Sequence, residues 1–446
     1  MKSLAKNYII EDIPAEIDIS YIFVTKSYSF DISLFFLSMI GLSLGYVMAL
    51  TTFTFTFFYQ GIELISYIFL VYSLTRLVSV HTDISYFRMI GLVFLLWQVL
   101  ILVRGDYFDL NYFLFKQLIF DLNYGGIIYM IPILCFFKFN LFLLKKLFDS
   151  VIILAVIFLL FSIYNYDVLS ISNVRDPLSL MTVEMYFKYF AICIGILAFN
   201  FNLISKKYKY FVVGILLLLI ILAVFRARRG MLLMTSIISF FAILNYFITS
   251  NKKFYFIFYV LYFFTGIFLL LYFSLDLGFK NVSFFRNLTD RGLEDTRSYV
   301  ENCFYADMTS DDWIFGKGYN GGYECSGIDD EIFKGGERKV IETDYLQLIL
   351  GGGIINLILL LFIMIPAVFL GLFYSNNNLI RTLAIWIFCW LFFLYPSNMY
   401  SINLYHVSIW LSAGICYSKP LRMLPNSFIT KYFKSEFSIK STLNKQ

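Results

Sequence analysis

The chain has 446 residues, of which 60% are hydrophobic, 21% aromatic and only 15% charged, and its net charge is +5. A mean hydropathy of +0.77 places it in a lipid bilayer rather than in water. No nucleic-acid partner is expected.

The first thirty residues are polar and mixed in charge, without the apolar core of a cleavable signal, so none is expected. Crossing a hydrocarbon core takes roughly 20 apolar residues in helix. Apolar runs of that order lie at 32–52, 59–76, 86–103, 124–138, 147–165, 186–204, 210–225, 230–250, 254–275, 346–373, 380–396 and 402–417. Their continuity, with no alternation, excludes a barrel. The expected fold is an all-α polytopic membrane protein with about 12 transmembrane helices and one large periplasmic loop. It divides into transmembrane helices 1–9 (1–275), the large loop (276–345), helices 10–12 (346–417) and a basic cytoplasmic tail (418–446), read as a solvated end. The interiors of the runs carry almost no charge, with Glu63, Asp149 and Lys188 near their ends.

Lys and Arg mark the cytoplasmic side. With both termini inside, short cytoplasmic segments hold 20 of the 35 basic residues, while eight of the remainder fall in the long loop, where the rule loses force. The loop Asp276–Asp344 holds fifteen of the chain's thirty carboxylates against those eight cations, a local charge of −7, and is expected outside. One external turn opposes the rule: Arg226-Ala-Arg228-Arg229-Gly230, three cations where one run ends and the next begins. Guanidinium groups bind phosphate oxygens in bidentate fashion, and the free N–H groups of a following helix add partial positive charge. The turn therefore reads as a diphosphate pocket at the outer leaflet, against the alternative of snorkelling to lipid headgroups.

The loop itself reads in three parts. Ser283 to Met308 has helical character, with Asp295 as a cap and Arg297 in the following first turn. Trp313-Ile-Phe-Gly316-Lys317-Gly318 is an aromatic anchor followed by a glycine turn, without the ending of a phosphate-binding loop. An acidic segment then leads to Glu342-Thr-Asp344-Tyr345, where two carboxylates precede a span. Each fits a general base as well as it fits a helix cap. Cys303 and Cys325 share this loop, as a disulfide or as two free thiols, while Cys135, Cys193, Cys389 and Cys416 lie in apolar runs as packing residues. The acids lack cation-loop spacing, and topology puts His81 and His406 on opposite sides, so no metal and no cofactor is expected.

Three features in order resemble the bacterial O-antigen polymerase and ligase superfamily of inner-membrane glycosyltransferases. They are the turn Arg226–Gly230, Arg297 with the downstream Trp313…Gly316-Lys-Gly318, and the exit Glu342-Thr-Asp344-Tyr345-Leu346-Gln347…Gly351-Gly-Gly353. Ligases of that superfamily typically carry a histidine where this chain has Glu342, which points to the polymerase (Wzy-type) branch. The resemblance implies an undecaprenyl-diphosphate-linked oligosaccharide as donor and metal-independent chemistry at the periplasmic face of the inner membrane, with both termini cytoplasmic. It also implies a chain-length regulator of the same pathway as a partner. Arg226, Arg228, Arg229 and Arg297 become the leaving-group clamp, Glu342 the base and Asp344 the second choice. The alternatives are an O-antigen ligase, a capsule or exopolysaccharide polymerase and, from another class, a lipid-linked oligosaccharide flippase, which should carry ionisable groups within its helices.

Overall fold

The structure, a computed structural model, describes residues 24–51, 56–78, 85–105, 107, 112–171, 176–249, 297–325 and 337–443. The expected run 254–275, the cap Asp295, His81 and most of the acidic segment lie outside them. The chain is an all-α membrane protein. Among the described residues, seven helices are long and apolar enough to cross a bilayer: α1 (Lys26–Leu50), α2 (Thr56–Leu77), α3 (Ser85–Val103), α5 (Leu141–Tyr164), α9 (Lys206–Phe225), α10 (Arg229–Thr249) and α13 (Asp344–Phe373). Between them lie the shorter α4 (Tyr112–Phe120), α6 (Tyr166–Leu169), α7 (Pro177–Tyr186) and α8 (Ile194–Phe199), and after α13 come α14 (Asn378–Phe393) and α15 (Leu404–Tyr417).

Two of the expected spans are not simple α-helices. The run 124–138 forms a 3₁₀ stretch, Gly126–Phe136, with Pro132 inside it; the ring removes an N–H that an α-helix would use. The run 186–204 is divided into a π-helical turn Phe187–Ala191, α8, and a 3₁₀ turn Phe201–Leu203. Extra residues wound into a helix re-aim its side chains, and such turns concentrate at functional sites. Lys188 sits in this one.

Contacts between connections sort them onto two ends of the bundle. At one end Tyr28 donates to the Lys138 carbonyl, Val78 bridges to Phe137, Asn202 meets Thr249, and Asn377 donates to the Leu421 carbonyl. At the other, Tyr46 meets Asp121, Arg226 reaches the Ile171 carbonyl, and the chain before α13 meets the connection between α14 and α15. The tail belongs to the first end and is not a solvated terminus. It forms α16 (Lys419–Met423) and α17 (Asn426–Leu443), and Leu421, Leu424, Phe428, Ile429 and Phe433 are buried, with Phe433 5.5 Å from Phe148. Their helical spacing gives the tail an apolar stripe between its basic residues.

The 297–344 segment carries its own small core, laid on the start of α13. Helices α11 (Arg297–Asp307) and α12 (Ser310–Phe315) and a two-stranded pairing of β1 (Tyr323–Glu324) with β2 (Glu337–Arg338) enclose Val300, Phe304, Tyr323, Ile341 and Ile349. Thr309 and Asp312 form a reciprocal cap at the start of α12. Trp313 packs edge-on to Phe304 and face-on to Tyr305. Cys303 and Cys325 are joined as a disulfide with their Cα atoms 5.3 Å apart. Burial pushes the Tyr323 hydroxyl up to about 12, so it stays protonated and donates to the Val340 carbonyl at 3.0 Å.

The two glycine motifs are halves of one joint. At Gly353 the backbone leaves helical geometry (φ 68°, ψ −176°), and α13 is kinked there. A break in a helix strands the carbonyls of the preceding turn. The Leu350 carbonyl accepts from Lys317 N at 2.7 Å and that of Gly351 from Gly318 N at 2.9 Å. The Gly352 carbonyl accepts from Trp97 Nε1 at 3.0 Å and that of Leu348 from Asn356 Nδ2 at 3.1 Å. Gly316 is left-handed as well (φ 73°), and Arg104 donates to its carbonyl. The segment before α13 is thus hydrogen-bonded into the membrane helix where the helix opens. A Cβ at Gly353 would strike the Ile314 carbonyl, so Gly353→Ala is expected to cost at least about 1–3 kcal/mol from backbone strain alone. Gly61, where an added Cβ would meet nothing within 4 Å, is the control. Thermal melting in detergent should fall for Gly353→Ala and not for Gly61→Ala.

Candidate functional site

The connection between α14 and α15, residues 394–403, forms a strap across the second end of the bundle. Its peptide groups lie at a helix junction inside the protein and need partners. The start of α13 supplies them. Asp344 Oδ2 accepts from Met399 N at 2.7 Å and Oδ1 from Tyr400 N at 3.0 Å, with the Ser397 hydroxyl at 3.4 Å. In return Asp344 N donates to the Ser397 carbonyl and Tyr345 N to that of Leu394. Further along, Asn398 Nδ2 donates to the Tyr124 hydroxyl and Ile402 N to the Leu122 carbonyl. Asp344 is buried, and both of its oxygens are engaged in holding the strap.

Two residues earlier the chain faces the other way. Glu342 is exposed, and its Oε2 accepts from Arg297 Nε at 3.3 Å; the two side chains are 51% and 42% accessible. Arg297, the first residue of α11, also donates from Nη2 to the Pro396 carbonyl at 3.1 Å. That carbonyl sits against the arginine turn, since a Cβ on Gly230 would lie 3.0 Å from it. The Pro396 carbonyl therefore joins Arg297, Glu342 and the Arg226–Gly230 turn, three pieces far apart in sequence.

The four arginines are not equivalent. Ala227 takes a left-handed conformation (φ 51°), letting the turn reverse between α9 and α10. Arg226 is fully buried, with Nη1 2.6 Å from the Ile171 carbonyl and its guanidinium over the Phe225 ring. Burial lowers it from its ordinary value while Asp176 opposes that shift. It sits inside the turn, with Nε and Nη2 making no hydrogen bond among the described residues. Arg228 pairs through Nη2 with Glu184 Oε2 at 3.1 Å and is 29% accessible. Arg229 opens α10. Of the four arginines expected as a clamp, Arg228 and Arg297 are partly accessible, Arg229 opens α10, and Arg226 is buried within the turn.

Beneath them lies a buried polar layer that sequence reasoning did not assemble. Asp121 Oδ1 accepts from the Tyr46 hydroxyl and from Asn123 N, and Asn123 exchanges hydrogen bonds with Tyr46 and Tyr189. Lys188 and Glu63, both read as lying near span ends, are buried. His406 is buried too, with Nδ1 against the Ser401 carbonyl and Nε2 accepting from Trp410, so both ring nitrogens are committed to structure. The strap could have been suspected from Pro396-Ser-Asn398, a polar break between two apolar runs. The pairing of Arg228 with Glu184 left no such signal.

Compared with models of known protein families, with curated proteins and with solved structures, the chain matches none.

The two loop-exit acids should separate by stability. Asp344→Ala strands two buried N–H groups at about 1–3 kcal/mol each, so its melting temperature should drop markedly. Glu342→Gln alters an exposed side chain and should stay within about 0.5 kcal/mol of the parent. Equal melting of both variants would contradict this division of roles.

Proposed function

We propose that the chain is a glycosyltransferase of the O-antigen polymerase type. It would extend an undecaprenyl-diphosphate-linked oligosaccharide at the periplasmic face of a bacterial inner membrane. The observation that carries this reading is the meeting of Arg297 and Glu342 with the arginine turn at the Pro396 carbonyl. Those are the parts named by the three motifs of the resemblance, and they lie at the end of the bundle where a lipid diphosphate headgroup would sit.

In this reading, a hydroxyl oxygen of the acceptor sugar attacks the anomeric carbon of the donor glycan. The bond from that carbon to the phosphate oxygen breaks, and its electron pair leaves with the lipid diphosphate. Arg228, Arg229 and Arg297 meet the charge that develops on the departing oxygens, as preorganised donors do. Glu342 takes the hydroxyl proton as the new glycosidic bond forms. Its exposure leaves room for an acceptor, and its tie to Arg297 couples base and clamp. Asp344, with both oxygens on backbone N–H groups, serves as the anchor of the strap.

Glu342→Gln should keep donor binding and lose about 10²–10⁴-fold in polymerisation rate. Arg228→Ala should lose about 10²–10³-fold, with Arg228→Lys recovering only part. In cells, deletion of the gene should leave lipopolysaccharide capped with a single repeat unit on a gel. Bare core would indicate a ligase instead, and an unchanged ladder would contradict any role in this polymer.

A further inference from the structure

Lys188 is only 2% accessible, yet its ammonium makes no hydrogen bond or ion pair among the described residues. A buried ammonium has three donors to satisfy, and leaving them unmet is costly. Three carboxylates act on it through space: Asp344, Glu184 and Asp121. Each already has its own donors. Asp344 holds Met399 N and Tyr400 N, Asp121 holds the Tyr46 hydroxyl and Asn123 N, and Glu184 holds Arg228. These acids lie near enough to attract Lys188 without occupying its N–H groups.

Its position is as informative as its solitude. Glu184, four residues earlier, pairs with Arg228, so this face of α7 and the π-helical turn looks toward the arginine turn. At 1.5 Å per residue, Lys188 lies about 6 Å further along the helix, one turn deeper into the bundle. The π-helical winding, with Ile192 N bonded to the Phe187 carbonyl at 3.0 Å, carries Lys188 inward toward Asp344 and not out to lipid.

We propose that Lys188 is a further ligand-binding residue of this site, whose ammonium hydrogen-bonds a phosphate oxygen of an isoprenyl diphosphate beneath the arginine turn. The inference rests on the function proposed above and adds to it the inner wall of the diphosphate pocket. Arginines grip the headgroup from the water side, and Lys188 meets it from the membrane side. That arrangement favours a diphosphate carrying a lipid chain over one free in solution, because the chain must run past Lys188 into the bilayer.

The test uses the full chain in nanodiscs of phosphatidylcholine, titrated with farnesyl diphosphate, inorganic pyrophosphate and farnesol. Wild type should bind farnesyl diphosphate well above the other two probes, and Lys188→Met should weaken that binding by at least about tenfold, the loss expected for a charge-assisted hydrogen bond. Lys188→Gln should weaken it equally, and it carries the comparison if Lys188→Met melts well below wild type. Wild-type binding by both Lys188 variants, with binding weakened in Arg228→Ala, would overturn the role of Lys188 and leave the proposed function standing. Failure of wild type to bind farnesyl diphosphate would overturn both. Pyrophosphate binding as tightly as farnesyl diphosphate would overturn the preference for a lipid-linked ligand.

Discussion

The Asp344 carboxylate accepts the backbone N–H groups of Met399 and Tyr400, and the rest of the site depends on that pair of hydrogen bonds. They fix the 394–403 strap over the start of α13. With the strap fixed, the Pro396 carbonyl is presented at once to Arg297 and to the backbone of Gly230. Glu342 follows, because it precedes Asp344 by two residues and is tied to Arg297. A single carboxylate sheltered from water thus sets where an exposed carboxylate and a group of cations sit. Such an anchor suits a membrane protein, since unpaired peptide groups away from water are costly and the two oxygens of one carboxyl group take two of them at once.

The bilayer imposes the second constraint. Backbone groups in the membrane must be satisfied internally, so irregular helices persist only where something fills the openings. At Gly353 the filling is the segment before α13, through Lys317 and Gly318, together with Trp97 and Asn356. The kink and the loop therefore hold each other in place, and the loop's small core around Phe304 and Tyr323 rests on the helix it helps to open. The same logic extends to the π-helical turn at Lys188, where a departure from α geometry turns a cation into the bundle. Both irregularities lie in segments that carry the site, one on α13 after Asp344 and one after Glu184 at the end of α7.

Much of the fold was legible from hydropathy, because continuous apolar runs have few solutions other than helix in lipid. Seven runs became long helices, while Pro132 and the stretch from Phe187 to Leu203 adopted tighter or wider windings that a hydropathy window averages away. The arginine turn stood out because it opposed the charge rule, and Arg297 and Glu342 because they flank the polar segment. What separates Arg226 from Arg228, or Glu342 from Asp344, was not legible, since adjacent residues of one type differ only in the direction they face. The partnership of Gly316–Gly318 with Gly351–Gly353 was equally hidden: the motifs are visible singly, and only the folded chain brings them together. The tail misled for a related reason, as its basic residues mask an apolar stripe from Leu421 to Phe433.

The central claim is that the arginine turn and the strap touch, which brings the cations and the exposed Glu342 carboxylate to one site. The paired substitutions Gly230→Cys and Pro396→Cys test it in native membranes, by brief oxidation and mass spectrometry of the cross-linked peptides. Because a Cβ on Gly230 would lie 3.0 Å from the Pro396 carbonyl, the account predicts a disulfide between the two positions. It also predicts loss of that cross-link when Asp344→Ala frees the strap. Absence of the cross-link in a well-folded protein, or its indifference to Asp344→Ala, would contradict the account.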